Sequence, residues 1–253
     1  MPEGIDTASI RRVTDRYSDP QQQPTGAAAA DLVEHIARRP PRRHGLPIVL
    51  SVGRLSEVKG MARLVGAFAA DERLRERATL VIVGGDFDHP TNEEAAELDR
   101  VTSLLAASPV TAESVVLLGH RANDQIGHLL AAARHGHPGV IAADGAYVCA
   151  SRKEEFGLAI VEAMAAGLPV VAPRAGGPAT YVEHGKTGFL VDTTDRSALA
   201  DGIAAALSIS AVPGRADYAV ARMAREYDVS SMAGSLAAIY HRVSLDAAAP
   251  LAS

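Results

Sequence analysis

Between Glu154 and Glu162 the chain reads EEFGLAIVE, with two carboxylates eight positions apart and Phe156-Gly157-Leu158 between them where a loop turns into a helix. The helix expected from Gly157 to about Ala166 is apolar on every side except at Glu162. A helix that is apolar all round belongs in the interior, and a lone carboxylate on it is costly unless it finds a partner. A sugar or ribose diol, whose two hydroxyls both donate to one carboxylate, is such a partner. The start of the same helix presents unpaired backbone N–H groups and a positive dipole end, which suits a phosphate. One segment therefore supplies a carboxylate before the helix, an anion seat at its tip and a carboxylate inside it. That combination is equipped to hold a sugar nucleotide.

Other candidates follow apolar runs that read as strands. After Ile48–Val52 comes Gly53-Arg54-Leu55-Ser56-Glu57-Val58-Lys59-Gly60, in which Arg54 and Lys59 bring two positive charges to a strand end where a pyrophosphate fits. The alternative is a solvated loop whose Arg and Lys do nothing. Gly84-Gly85-Asp86 follows Thr79–Val83. Its glycines allow close backbone approach to a ligand, although a strand–helix turn often needs glycine anyway, and the G-x-G-x-x-G spacing of a dinucleotide fold is absent. After Val115–Leu118, Gly119-His120-Arg121 frames a base with main-chain atoms, His120 alone reading as a structural hydrogen bonder. His135 and His137 lack carboxylate support and read as an exposed loop rather than a metal pair. In Arg174-Ala175-Gly176-Gly177-Pro178 the glycines are suited to bring N–H groups up to a phosphate or sugar. Glu183 to Gly188 reads as a turn entering a strand at Phe189.

The elements that must position these groups alternate. Strands are expected at Ile48–Val52, Thr79–Val83, Val115–Leu118, Ala146–Ala150, Pro169–Ala172 and Gly188–Val191. Helices are expected at Gly60–Ala70, Glu93–Ala107, Asp124–Ala133 and Ser197–Leu207, with two more over Ala216–Val243 that meet near Tyr227-Asp228-Val229. Short, nearly continuous apolar strands between helices imply a parallel sheet covered on both faces, a doubly wound α/β domain over 46–210. Ligands of such sheets bind outside the carboxyl ends of the strands, where the candidates above fall. Residues 1–45 are polar, with QQQP and RRPPRRHG, and read as a partly flexible linker holding a short helix around Asp31–Arg38 that Pro-Pro stops. The tail from Ala247 reads as loose.

Composition removes several function classes. Lys+Arg 25 against Asp+Glu 30 gives a net charge of −5, so no basic field points to nucleic acid or acidic membranes. Cys149, the single cysteine, excludes an internal disulfide and a cysteine-rich metal site, and reads as a packed thiol. Aromatics are 4% with no Trp, which leaves a core of Ala, Val, Leu and Ile. No apolar run is long enough for a membrane span and the first residues lack the form of a signal peptide, so a cytoplasmic location is expected.

GRLSEVKG, GGD, LLGH, EEFGLAIVEAMAAGLPVVAPRAGGP and HGKTGFLV occur in the order and spacing of the nucleotide-sugar half of retaining GT-B glycosyltransferases, which the chain closely resembles over roughly 46–207. The stretches GGDFDHPTNEE and HGHPGVIAADGAYVCAS make it most similar to sucrose-phosphate synthases and their bacterial relatives. The resemblance implies transfer of a hexose, glucose favoured, from a nucleoside diphosphate sugar, UDP-sugar favoured, to a hydroxyl acceptor with retention. It implies no metal or other cofactor. By this resemblance Arg54 and Lys59 match the basic pair on the donor pyrophosphate, and Glu154 matches the glutamate that contacts donor-sugar hydroxyls. Phe156, Gly157 and Leu158 match the supporting backbone, and Glu162 the glutamate on the ribose diol. Gly53, Gly84, Gly85 and Arg121 complete the expected donor-binding set. Glu155 departs from the small residue, commonly Gly or Pro, usual after the first glutamate.

Met1-Pro2-Glu3-Gly4-Ile5-Asp6 resembles the junction between the halves of such enzymes, so the acceptor half is expected on a separate or deleted N-terminal piece, or the chain pairs with itself. The isolated chain is then expected to be inactive alone, with apolar surface around the final helices. Two other readings stand beside this one: a non-catalytic nucleotide-sugar-binding module that regulates or scaffolds another protein, and an α/β domain for a nicotinamide dinucleotide, which the missing G-x-G-x-x-G disfavours.

Overall fold

In the computed structural model, which describes residues 3–19 and 26–248, six short apolar segments form one parallel sheet. They are β1 (Ile48–Val52), β2 (Thr79–Val83), β3 (Val115–Gly119), β4 (Ala146–Val148), β5 (Val170–Pro173) and β6 (Gly188–Val191), in the order β3-β2-β1-β4-β5-β6. Successive strand residues point to opposite faces. Ile48 and Leu50 accordingly enter one core while Val49 enters the other, and Val81 and Ile82 divide in the same way. Both faces being buried explains why the strands are apolar runs rather than alternating ones.

One face carries α3 (Met61–Ala70), α4 (Glu72–Arg77), α5 (Asn92–Ala106) and α9 (Arg196–Ile209), with Leu64, Phe68, Leu74, Val101, Leu199 and Ile203 in its core. The short α6 (Pro109–Ser114) leads into β3. The opposite face carries α1 (Thr7–Tyr17), α2 (Ala27–Ala37), α7 (Asn123–His135), α8 (Leu158–Ala165) and α10 (Arg215–Glu226). The last helix is α11 (Val229–Ala248).

The described stretches up to residue 45, 3–19 and 26–45, are more ordered than the linker expected there. Asp6 accepts the Ser9 N–H at 2.7 Å and caps α1, whose Ile10 and Tyr17 are buried. The helix expected around Asp31–Arg38 begins at Ala27, because Ala28 and Ala29 pack into the same core as Leu32 and Ile36. The QQQP stretch and most of the tail from Ala247 lie outside the described residues. Two six-residue helices, α4 and α6, were also not expected, and each is started by a side-chain cap, from Asp71 and Ser108 respectively.

Ile5 pairs with the α10–α11 junction: its N–H donates to the Tyr227 carbonyl and its carbonyl accepts from Val229, each at 2.9 Å. Thr7 donates to the Asp228 carboxylate alongside. The junction sits at Tyr227-Asp228-Val229, as expected from the sequence. Beyond it α11 leaves Val229, Leu236, Ile239 and Tyr240 exposed. Among the described residues no helix is long and apolar enough to cross a membrane.

Candidate functional site

The sheet order reverses direction between β1 and β4, and the carboxyl ends of strands at such a reversal are the usual ligand position in open α/β sheets. A cavity of about 560 Å³ opens there, lined by Gly53, Arg54 and Lys59 after β1, by Cys149, Ala150, Ser151 and Glu154 to Gly157 after β4, and by Leu158 and Glu162 of α8. A second hollow, of about 490 Å³, adjoins it past Gly53 and Arg54 and runs over Gly84, Gly85, His120 and Arg121. One groove thus gathers every residue expected at the site.

Lys59 and Glu154, ninety-five positions apart in the chain, meet here: the Lys59 ammonium lies 2.6 Å from Glu154 Oε2. Ser151 Oγ donates to the same oxygen at 3.2 Å, and the Cys149 thiol lies 3.7 Å from it. Burial pushes the pKa of that thiol up, so it stays a neutral cleft wall. Arg54 is exposed at the cleft mouth and has no ion pair among the described residues. Arg54 and Lys59 thus bring positive charge to this part of the groove, beside the Glu154 carboxylate.

The glycines of 174–178 do something other than present N–H groups to a ligand. Gly176 (φ 101°) forms a bridge with Glu154, and the Gly177 N–H donates to the Glu154 carbonyl at 2.9 Å. A Cβ on either glycine would overlap the backbone of Glu154 or Glu155. This close backbone approach, with Tyr181 OH donating to the Phe156 carbonyl, clamps the glutamate loop. Phe156 also packs between Tyr181 and Tyr227, ring centroids 5.7 and 6.0 Å away.

Gly157 (φ 89°) then turns the chain into α8 without a side-chain cap, so the first N–H groups of the helix stay open toward the groove. Glu162 follows on the inner side of α8, between buried Val161 and Ala163. Its carboxylate has no hydrogen bond or ion pair among the described residues, and burial alone raises its pKa. A buried carboxylate is rarely left without a partner. The lone charge expected from the sequence is present, and its partner is not supplied by this chain's described side chains.

Gly84 (φ 130°) sits where a Cβ would overlap the Gly53 carbonyl, and its N–H reaches the Gly119 carbonyl at 2.8 Å. Replacing Gly84 by Ala is expected to destabilise the fold by about 3 kcal/mol, combining left-handed strain with a backbone clash. A urea midpoint unchanged by the substitution would show that the turn relaxes instead. Arg121 borders the second hollow, where the sequence placed it, and its guanidinium is tied to Asp31 of α2 and to the His120 carbonyl. It anchors α2 to the loop after β3. Glu155 points to solvent and pairs with Lys153 at 2.7 Å. His135 and His137 are not the exposed loop expected: each has a buried ring nitrogen without a partner, and among the described residues no cluster suits a metal ion.

Three residues escaped the sequence reading. Asn123, first in α7, lines both parts of the groove, and Tyr147 forms its floor with its hydroxyl donating to the Val52 carbonyl at 3.3 Å. Glu97 of α5, 2% exposed, accepts the Ala62 N–H at 2.8 Å and thereby caps α3 just after the Lys59 loop. The signal for Glu97 was its spacing of four from Val101, which puts both on the buried face of α5.

Comparison with known proteins agrees with this geometry. The family model described as "Glycosyl transferases group 1" matches residues 33–222. Sucrose synthase of Solanum tuberosum is 36% identical over 165 residues, 62% of this chain and 19% of its own length. Sucrose-phosphate synthase from Thermosynechococcus elongatus superposes with a TM-score of 0.71 at 25% identity, covering 97% of this chain and 52% of that one. Anabaena HepE, solved in complex with UDP-glucose, superposes with a TM-score of 0.69 at 25% identity, covering 94% of this chain and 56% of its own. The chain thus spans about half the length of these solved relatives and about a fifth of the sucrose synthase. Its parallel sheet, its groove at the β1–β4 crevice and the matched family model assign the chain to the group 1 glycosyl transferases, with the fold of the nucleotide-sugar half of a GT-B enzyme.

Proposed function

We propose that this chain is the donor-binding half of a retaining glycosyltransferase that moves a hexose, glucose by preference, from a UDP-sugar to a hydroxyl acceptor. The observation that carries the reading is Glu162, a carboxylate on a buried helix with no partner among the described residues, lining the same groove as Arg54, Lys59 and Glu154. A ribose diol donating both hydroxyls to Glu162 satisfies that charge. The donor diphosphate then lies toward the open start of α8 and the two cations, and the sugar reaches Glu154. HepE, which binds UDP-glucose, shares the fold and supports UDP as the nucleotide.

In this reading Arg54 and Lys59 stabilise the charge that grows on the departing UDP, so cationic side chains take the part a metal plays elsewhere. Glu154 holds donor hydroxyls while exchanging its contact with Lys59. The acceptor is bound by a second half, on the same or another polypeptide, and the exposed apolar residues of α11 fit a surface that such a half covers. Calorimetric titration with UDP and UDP-glucose tests the reading: both are expected to bind in the micromolar to millimolar range. Absence of binding by either, with the protein folded, would remove it.

A further inference from the structure

A cavity of about 900 Å³ lies behind the start of α3, between α5 and α9, and shares no lining residue with the donor groove. Four arginines from four elements line it: Arg63 of α3, Arg100 of α5, Arg152 after β4 and Arg196 at the first position of α9. Its carboxylates are Glu57 and Glu97. Glu97 lies 2.8 Å from Arg100 and already caps α3, while Glu57 lies 2.9 Å from Arg152 and 3.7 Å from Arg100.

Arg63 and Arg196 have no acidic partner at ion-pair distance among the described residues. Arg63 Nη2 donates to the Ala150 carbonyl at 2.7 Å, but its Nε is buried without a hydrogen-bond partner among the described residues. Burial first and the neighbouring Arg152 second pull the Arg63 pKa down, against Glu97, Glu57 and Asp192, which raise it. In a chain whose net charge is −5, a concave wall with more arginines than carboxylates is a local excess that calls for an anion. Guanidinium groups match phosphate oxygens two at a time, and the hydroxyl of Ser103 on the same wall adds a further donor.

We propose that this cavity is a second anion site, separate from the donor groove, that binds a phosphate dianion, free or borne by a small monoester. Its volume falls in the range of small-molecule sites, which leaves room for an organic part beside the phosphate. The inference does not depend on the donor reading, because the two sites share no residue.

The test titrates the full chain at low ionic strength with inorganic phosphate and, separately, glycerol 3-phosphate, with UDP present to occupy the donor groove. Saturable one-to-one binding is expected, weakened at least roughly tenfold by Arg152→Glu with Arg196→Glu and unchanged by Lys59→Ala. Both replaced arginines are exposed, and circular dichroism verifies the fold. Arg196→Ala alone, with its smaller expected loss, serves as the check if the double variant misfolds. Tighter binding of glycerol 3-phosphate assigns an organic monoester, and equal binding assigns free phosphate. No saturable binding, binding untouched by the arginine variants, or loss on Lys59→Ala instead would each overturn the second site. If UDP fails to bind, the same titration in the Lys59→Ala background still decides it.

Discussion

Replacing Glu162 by Gln is expected to weaken UDP-glucose binding by roughly 10- to 100-fold, the worth of hydrogen bonds to a charged acceptor. The same change is expected to make the unliganded fold more stable at neutral pH. Both effects come from one cause. Glu162 is half-buried with no partner among the described residues, and burial raises its pKa in the folded chain. The folded protein then binds its proton more tightly than the unfolded chain does. Stability is accordingly undiminished below the ordinary glutamate pKa and falls as pH rises from there through the raised one. The glutamine side chain carries no charge to bury and removes that slope. Donor affinity runs the opposite way, rising with pH as the carboxylate ionises to accept the ribose hydroxyls. UDP-glucose is the right ligand because its diphosphate does not titrate in that range. Urea denaturation across pH and calorimetry together check the pair. A variant less stable than the parent, or one that binds UDP-glucose unchanged, would refute this account of Glu162.

Lys59 and Glu154 predict a second large effect, with opposite signs at the two positions. Lys59→Ala is expected to reduce UDP affinity by roughly 30- to 100-fold, because a charge-assisted contact to phosphate is lost. Glu154→Ala is expected to leave UDP binding as tight or tighter, because Lys59 no longer exchanges a carboxylate at 2.6 Å for a phosphate. It should at the same time abolish any preference for UDP-glucose over UDP, the sugar hydroxyls having lost their acceptor. Both side chains keep some solvent contact, 30% and 16% exposed, so neither substitution strands a fully buried charge. Competition titration of UDP against UDP-glucose reads both outcomes. Weaker UDP binding by Glu154→Ala would mean that Glu154 holds Lys59 in its working position rather than competing for it.

What was legible in the sequence is what local pattern encodes. The strands were readable because each is buried on both faces and so runs apolar from end to end, as in Thr79–Val83. The glutamate segment was readable because Gly157 and the all-apolar α8 leave Glu162 conspicuous. Helix α1 was not, since Ile10, Val13 and Tyr17 form only a thin stripe among Arg and Asp, and its stability comes from packing on α7 and from the Asp6 cap. The tie of Arg121 to α2 was hidden for a different reason. Its partner Asp31 is ninety residues away, and a sequence shows a guanidinium without showing whether it is already taken. Gly176 and Gly177 look alike whether they approach a ligand or a neighbouring backbone, and here they approach Glu154.

The placement of the groove at the β1–β4 crevice has a bearing on how the chain folds. β1, β2 and β3 are joined in sequence by successive crossovers, as are β4, β5 and β6, whereas β1 meets β4 across about a hundred positions of chain. That seam is also short, with only Val49–Ala146 and Leu50–Tyr147 in register. Contacts so distant in sequence are slow to form because loop closure must precede any gain from them. The cavity that joins Lys59 to Glu154 and Glu162 needs both half-sheets, so donor binding is acquired when the seam closes and is lost when it opens. A ligand that touches Lys59 on one side and Glu154 and Glu162 on the other therefore spans the seam, and would slow unfolding by holding the two half-sheets together.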